Sequence, residues 1–231
     1  MGRRGTDVAR EAADLILLDD DFASLVGAVR LGRRIFANLR KALVFITAIH
    51  VPIAGLALLP ILLGLPPMLL PMHLVLLELV IDPICSIAFE AEPGGRRAMQ
   101  RPPRRPDEPL FGLRQGVLAL AQGLVLTAAI LGLYLSLLPL LPETQARACA
   151  FAALVVGNLA LALADSASGA GLLHRSHLTF WVIAAAALGV LALAVFAPGV
   201  NATFGLSPPP AIWLGAAALG GLAAGGWFGL A

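Results

Sequence analysis

The chain has 231 residues, of which 59% are hydrophobic and only 13% are charged, with a formal net charge of +2. This composition excludes an ordinary water-soluble domain and indicates a polytopic membrane protein. We therefore expect the lipid bilayer, and not nucleic acid, as the partner that surrounds the chain.

The first 41 residues are comparatively polar and carry three local signals. The run Leu15–Leu18 predicts a short buried strand. Asp19-Asp20-Asp21 follows it, which is typical of a turn and of a helix N-cap. From Phe22 onward, apolar residues recur at helical spacing and basic residues occupy the other face. Because no turn signal precedes residue 42, we predict a stalk helix over 22–41 that continues into the membrane; a basic helix lying on anionic lipid is the alternative.

Long apolar runs make up most of the remaining chain and predict six transmembrane helices. The runs lie at 42–64, 69–89, 113–138, 146–165, 178–197 and 209–229. Because the link Gly64–Pro67 is very short, the first two runs form an antiparallel hairpin. The link 90–112 is rich in proline and arginine, which predicts no regular structure. The glycine pairs Gly220-Gly221 and Gly225-Gly226 predict a close contact between helices.

The sixteen basic residues are distributed very unevenly about these runs. Residues 1–41 contain eight, residues 90–114 contain six, and the link 166–177 contains one. The opposite side has Arg147 alone. Since cytoplasmic segments carry the excess of lysine and arginine, both termini are expected in the cytosol. We expect the plasma membrane as the location.

Two acidic residues, Glu78 and Asp82, stand inside the second apolar run and are followed at once by Pro83. A charged side chain at membrane depth costs about 2.5–3.5 kcal/mol, so the pair indicates a functional site. Residues four apart share one face of a helix. Pro83 should free the carbonyl near Leu79 and unwind the helix there. The resulting cluster of oxygen atoms suits a hard cation. The alternative is a kinked helix with neutral, buried acids.

Four segments resemble the cation-transporting P-type ATPases. Gly5–Phe22 is similar to the end of their phosphorylation domain, and Gly32–Lys41 to the stalk that leads to their fifth span. Leu63–Pro66, Pro71 and Glu78–Pro83 resemble the hairpin of the fifth and sixth spans in the type II branch, which includes calcium and sodium/potassium-like pumps. The last four runs resemble the C-terminal bundle of that branch.

The resemblance implies a set of cation ligands. Asp82 matches the ion-binding aspartate of the sixth span, and Glu78 stands where calcium pumps have an asparagine ligand. His50 matches a ligand position of the fifth span, and Asn158 lies near a ligand of the eighth. Ile53 replaces a carboxylate of the calcium pumps. Two carboxylates and one imidazole balance one divalent cation, and the imidazole also suits a softer metal or proton countertransport. The alternative for His50 is a hydrogen bond to a nearby carbonyl.

The fold that the resemblance implies is an all-α membrane protein of five parts. These are a remnant of the phosphorylation domain (1–21), the stalk helix (22–41), a transmembrane hairpin with the ion site (42–89), a cytosolic loop (90–112) and a four-helix transmembrane bundle (113–231). In the family the phosphorylated aspartate belongs to an Asp-Lys-Thr-Gly motif, which is absent because Lys41 is the only lysine.

We therefore expect the cation-transport portion of an ATP-driven pump. Its partners would be the transported cation and a missing N-terminal catalytic portion, and ATP and Mg²⁺ would be used by the intact pump. One alternative is an inactive truncated membrane fragment or a split-pump subunit without ATPase activity of its own. Another is a six-span channel or secondary carrier, although no inverted repeat supports it.

Overall fold

A computed structural model of the chain describes residues 2, 5–83, 89, 99–100, 102–103, 109–166 and 178–227, with the backbone alone for 80–83 and 166. All regular structure in these ranges is α-helical. The eight helices are α1 (Asp7–Glu11), α2 (Phe22–Leu62), α3 (Pro71–Pro83), α4 (Leu113–Leu137), α5 (Glu143–Ser166), α6 (Leu178–Phe196), α7 (Val200–Thr203) and α8 (Ala211–Gly226).

Helix α2 is a single 41-residue helix, so the predicted continuity of stalk and first apolar run is confirmed. It begins where the aspartate cluster predicts, because the Ala23 N–H donates to the Asp21 carboxylate at 2.9 Å. Pro52 lies inside the helix and has no N–H to donate, which leaves the Ala48 carbonyl without its usual helical partner. The helix nevertheless continues to Leu62.

The strand predicted at Leu15–Leu18 is wrong. These residues are irregular, and Leu15 and Leu18 are 57% and 79% exposed. Two backbone hydrogen bonds hold the segment, from the Gly2 N–H at 2.7 Å and from the Asp20 N–H at 3.3 Å, both to the Leu17 carbonyl. A strand needs a neighbouring strand to pair with its backbone groups, and the described residues form no sheet that this segment could join.

Four helices in the described ranges are long and apolar enough to cross a membrane, namely α2, α4, α5 and α6. The fifth apolar helix, α8, has 16 residues, or about 24 Å at 1.5 Å per residue. Helix α3 has 13 residues to Pro83, and residues 84–88 of the second apolar run lie outside the described ranges. The expected membrane character is thus confirmed, and the count of six spans is not. Most of the 90–112 link also lies outside these ranges.

Helix α5 is the centre of the bundle, and its most extensive partner is α8. Glycines make this contact possible: a Cβ added at Gly221 or Gly225 would overlap the carbonyl oxygens of Ala153 or Gly157 on α5. The predicted close approach is therefore confirmed for these two glycines.

Helix α2 packs mainly on α4, and a glycine again allows the close contact. A Cβ added at Gly123 would lie 2.5 Å from the Ala48 carbonyl oxygen, the one that Pro52 leaves without its helical partner. Helix α3 differs from these helices. Few of its Cα atoms come close to those of the other described helices, although the side chains of His73 and Leu77 are buried. The link that joins α3 to α2 therefore contributes to the position of α3.

Candidate cation site

His50 on α2 and Glu78 on α3 face each other across the hairpin. The imidazole Nε2 lies 3.6 Å from the Glu78 Oε1, and the two side chains are 50% and 47% exposed. The hairpin therefore brings together two of the four ligands expected from the sequence. The Glu78 side chain is therefore not enclosed by the described residues.

A second contact defines the orientation of the His50 ring. Its Nδ1 lies 2.7 Å from the carbonyl oxygen of Ile46, one turn earlier on α2. A carbonyl only accepts, so Nδ1 carries the proton and donates it. His50 is thus hydrogen-bonded to a nearby carbonyl, which was the alternative to a ligand role. The same hydrogen bond turns Nε2 toward Glu78.

The pair can hold one positive charge between the two side chains. With Nδ1 donating to the Ile46 carbonyl, Nε2 is left to act as an acceptor or ligand, and the Glu78 carboxylate offers oxygen atoms opposite it. A proton shared by the pair or a cation held by both atoms would fit between them. Two ligands about 2.0–2.1 Å from a tetrahedral metal stand roughly 3.4 Å apart, which is close to the observed 3.6 Å. The pair therefore has the spacing of two ligands that share one cation.

Asp82 belongs to the same helix as Glu78, one turn later. Its side chain lies outside the described part of the structure, so its role as a ligand stays a prediction. Helix α3 runs without interruption from Pro71 to Pro83. The unwinding expected beside the carboxylates is therefore wrong up to Pro83, because the missing N–H of one proline is tolerated in a continuous helix, as Pro52 is in α2. Among the described side chains, no group of three or more histidine, cysteine or acidic residues could hold a metal.

Asn158 lies in the middle of α5 and is only 3% exposed. Neither its Oδ1 nor its Nδ2 has a hydrogen-bond partner among the described residues, so it makes no hydrogen bond to His50 or Glu78. Leaving a buried polar group unsatisfied costs about 1–3 kcal/mol. Ile53, which takes the place of a family carboxylate, is a buried core residue.

Gln122 on α4 is a buried polar residue that the sequence analysis did not select. It is 3% exposed, and its Oε1 has no hydrogen-bond partner among the described residues. A glutamine inside an apolar run was the available signal, since polar side chains in transmembrane segments usually face the bundle interior. Gln122 and Asn158 add amide oxygens to the interior of the bundle beyond the hairpin.

Comparison of the sequence with known proteins identifies one family. The family model described as "Cation transporting ATPase, C-terminus" matches residues 66–230. The chain is 34% identical over 161 residues to a "Calcium-transporting ATPase" of Bacillus subtilis, an alignment that covers 69% of this chain and 18% of that protein.

Two further relatives carry different names. The chain is 40% identical over 113 residues to "Cation-transporting ATPase pma1" of Synechocystis, covering 48% of this chain and 12% of that protein. It is 37% identical over 128 residues to the "Sodium/potassium-transporting ATPase subunit alpha" of Hydra vulgaris, covering 53% and 12%. The alignments thus span less than a fifth of the length of each relative.

Proposed function

The chain belongs to the cation-transporting P-type ATPases, of which it carries the C-terminal membrane region, and we propose that it binds the transported cation between α2 and α3. The ligands in this proposal are Glu78, Asp82 and His50, with Asn158 as a fourth. Two carboxylates and a neutral imidazole balance a divalent cation. The relatives' names include calcium and sodium/potassium, and the ligand set here favours the divalent class.

The observation that carries the proposal is the 3.6 Å approach of His50 Nε2 to Glu78 Oε1. The Ile46 carbonyl directs the ring, so Nε2 is available as a ligand without a change of rotamer. Both side chains are about half exposed, so the described residues do not close the space between them. Imidazole with carboxylate suits zinc-like metals, whereas calcium prefers oxygen ligands alone.

Asn158 enters the proposal because its buried amide has no protein partner. An orphaned buried amide of this kind calls for a water, an ion or a moving partner. The proposal requires α5 to move relative to the hairpin during transport, so that the Asn158 carbonyl oxygen reaches the ion. Its Nδ2 would then need an acceptor, for which the Gln122 Oε1 is a candidate.

We propose a topology of six spans in the plasma membrane, with both termini in the cytosol. The basic residues support this orientation, since fifteen of sixteen lie on one side of the apolar runs. Helix α2 would then connect the cytosolic segment to His50 through one continuous helix. Movement of its exposed first half would tilt the second half and change access to Glu78.

ATP chemistry is not proposed for this chain. The residues present do not fit a phosphorylation site, because the Asp-Lys-Thr-Gly motif is absent and Lys41 is the only lysine. In this proposal ATP and Mg²⁺ act on a catalytic portion that this chain does not contain, and coupled transport needs that portion. Without it, the chain is expected to bind its cation and to hydrolyse no ATP.

The test measures equilibrium binding of radioactive calcium and zinc to the chain in lipid nanodiscs. Glu78→Gln and Asp82→Asn should each weaken binding of the preferred ion by roughly 10- to 100-fold or more. His50→Gln should weaken zinc more than calcium, because imidazole is the better ligand for zinc. Glu11→Gln is the matched control, since Glu11 is an exposed acid in α1.

Unchanged affinity for both ions in Glu78→Gln and Asp82→Asn would overturn the proposal. Ion flux through liposomes that contain the purified chain, without ATP, would favour the channel or carrier alternative. No binding of either ion by the unaltered chain would leave the inactive fragment as the better description.

A further inference from the structure

Arg147 on α5 is buried although it carries a charge. Its side chain is 6% exposed, and three groups surround the guanidinium. Nε donates to the Pro67 carbonyl at 3.0 Å, Nη1 donates to the Gly205 carbonyl at 2.8 Å, and Nη2 donates to the Glu143 carboxylate. One side chain thus joins the α2–α3 link and the α7–α8 link to the start of α5.

The neighbouring residue of the α2–α3 link is anchored as well. The hydroxyl of Tyr134, a fully buried residue on α4, donates to the Pro66 carbonyl at 3.1 Å. The Leu70 N–H donates to Nδ1 of His73, whose ring is buried and stacks 4.6 Å from Phe151. Tyr134 and Arg147 bind two consecutive carbonyls, and we call the set Pro66, Pro67, Tyr134, Arg147 and Gly205 the link clasp.

The chemistry of the link clasp suits arginine. A guanidinium has five N–H donors in a rigid fork, so it can reach three acceptors in different directions, whereas a lysine ammonium acts as a compact point charge. Glu143 supplies the opposite charge that a buried cation requires. The clasp is therefore a specific connection, and few residue types could replace Arg147.

The position of α3 depends in part on this connection. The backbone of α3 comes close to the other described helices at few points, although His73 and Leu77 are buried. The link clasp lies immediately before Pro71, where α3 begins, and Glu78 follows seven residues later, or about 10 Å along the helix. Since α3 is a rigid rod over this length, a rotation of the link would move Glu78 away from His50. Both proline carbonyls are held, which opposes that rotation.

We propose that Arg147, assisted by Tyr134, is a positioning residue that holds Glu78 opposite His50 by fixing the α2–α3 link. Arg147 does not touch the cation, and its effect is transmitted through Pro67 and the helix that follows. The consequence for cation affinity rests on the proposed function, whereas the consequence for the distance between His50 and Glu78 does not.

The first arm measures that distance by cross-linking. In a chain in which Cys85 and Cys149 are replaced by alanine, His50→Cys and Glu78→Cys are joined by a short bifunctional thiol reagent. Adding Arg147→Met should lower the cross-linked fraction several-fold, and Tyr134→Phe, which removes only the hydroxyl, should lower it less. Arg114→Met is the matched control, because Arg114 is an exposed arginine outside the clasp. Equal cross-linking in all four backgrounds would overturn the inference.

The second arm measures cation affinity and the number of sites in the unlabelled chain. Arg147→Met should weaken affinity by roughly 10- to 100-fold and Tyr134→Phe by about 10-fold, with the number of sites per folded chain unchanged. Arg147→Lys should restore part of the affinity. Fewer sites of unaltered affinity would indicate a merely structural role and overturn the inference. If Glu78→Gln has no effect on binding but Arg147→Met still lowers cross-linking, the proposed function fails and the positioning role stands.

Discussion

His50 Nε2 lies 3.6 Å from Glu78 Oε1, with the other nitrogen of the ring bonded to the Ile46 carbonyl. The two residues belong to different helices, and a single proton or a single cation satisfies the contact between them. Protons and cations should therefore exclude each other at this pair, and the exclusion can be measured.

Cation affinity should rise with pH. A cation that binds Nε2 and Oε1 must displace any proton held at the pair. The apparent dissociation constant should therefore fall as pH rises, by at most about tenfold per pH unit while one proton is displaced. Calorimetric titration of the preferred ion in buffers of different ionisation enthalpy should detect about one proton released per cation. In His50→Gln this release should disappear, and a pH-independent affinity of the unaltered chain would contradict competition at the pair.

Two adjacent glycines on α8 should respond oppositely to the same substitution. A Cβ at Gly221 would overlap the Ala153 carbonyl, so Gly221→Ala should push α8 from α5 and cost about 1–3 kcal/mol. Gly220 has open space around its Cβ position, so Gly220→Ala should leave stability unchanged or raise it. Thermal unfolding in detergent measures both. Equal destabilisation by the two substitutions would show that the close approach of α8 to α5 does not determine how an added methyl group changes stability.

The start of α2 should depend on the side chain at position 21. The Asp21 carboxylate accepts from the Ala23 N–H at 2.9 Å, so Asp21→Ala should destabilise the first turn by about 1 kcal/mol. Asp21→Asn should preserve it, because asparagine caps about as well as aspartate. Hydrogen exchange of the Ala23 amide is the measurement, and Asp14→Ala, at an exposed position outside the cap, is the control. Fast exchange already present in the unaltered chain would contradict a formed cap.

Residues 15–18 show where sequence reasoning failed. Leu15–Leu18 has the composition of a buried strand, but strand formation depends on a partner strand distant in sequence. In the described part of this chain no partner exists, and Leu18 is 79% exposed. Helix signals were more reliable because a cap and an apolar periodicity act within a few residues. The start of α2 after Asp21 and the extents of α4 and α6 follow the sequence closely for that reason.

The sequence by itself determined that the chain is a helical membrane protein with acidic residues inside an apolar run, because hydrophobicity and helix capping are local properties. Among those acids is Glu78, whereas His50 was singled out only through resemblance, and the distance between the two was not foreseen. Only the tertiary structure decided that these two side chains meet and that Arg147 is buried in the link clasp. It also decided that the Asn158 amide and the Gln122 Oε1 are buried with no hydrogen-bond partner among the described residues. In the sequence Arg147 was merely the one basic residue on its side of the apolar runs. Its contacts come from Pro67 and Gly205, which are far apart in the chain and meet only when α2, α5 and α8 pack together.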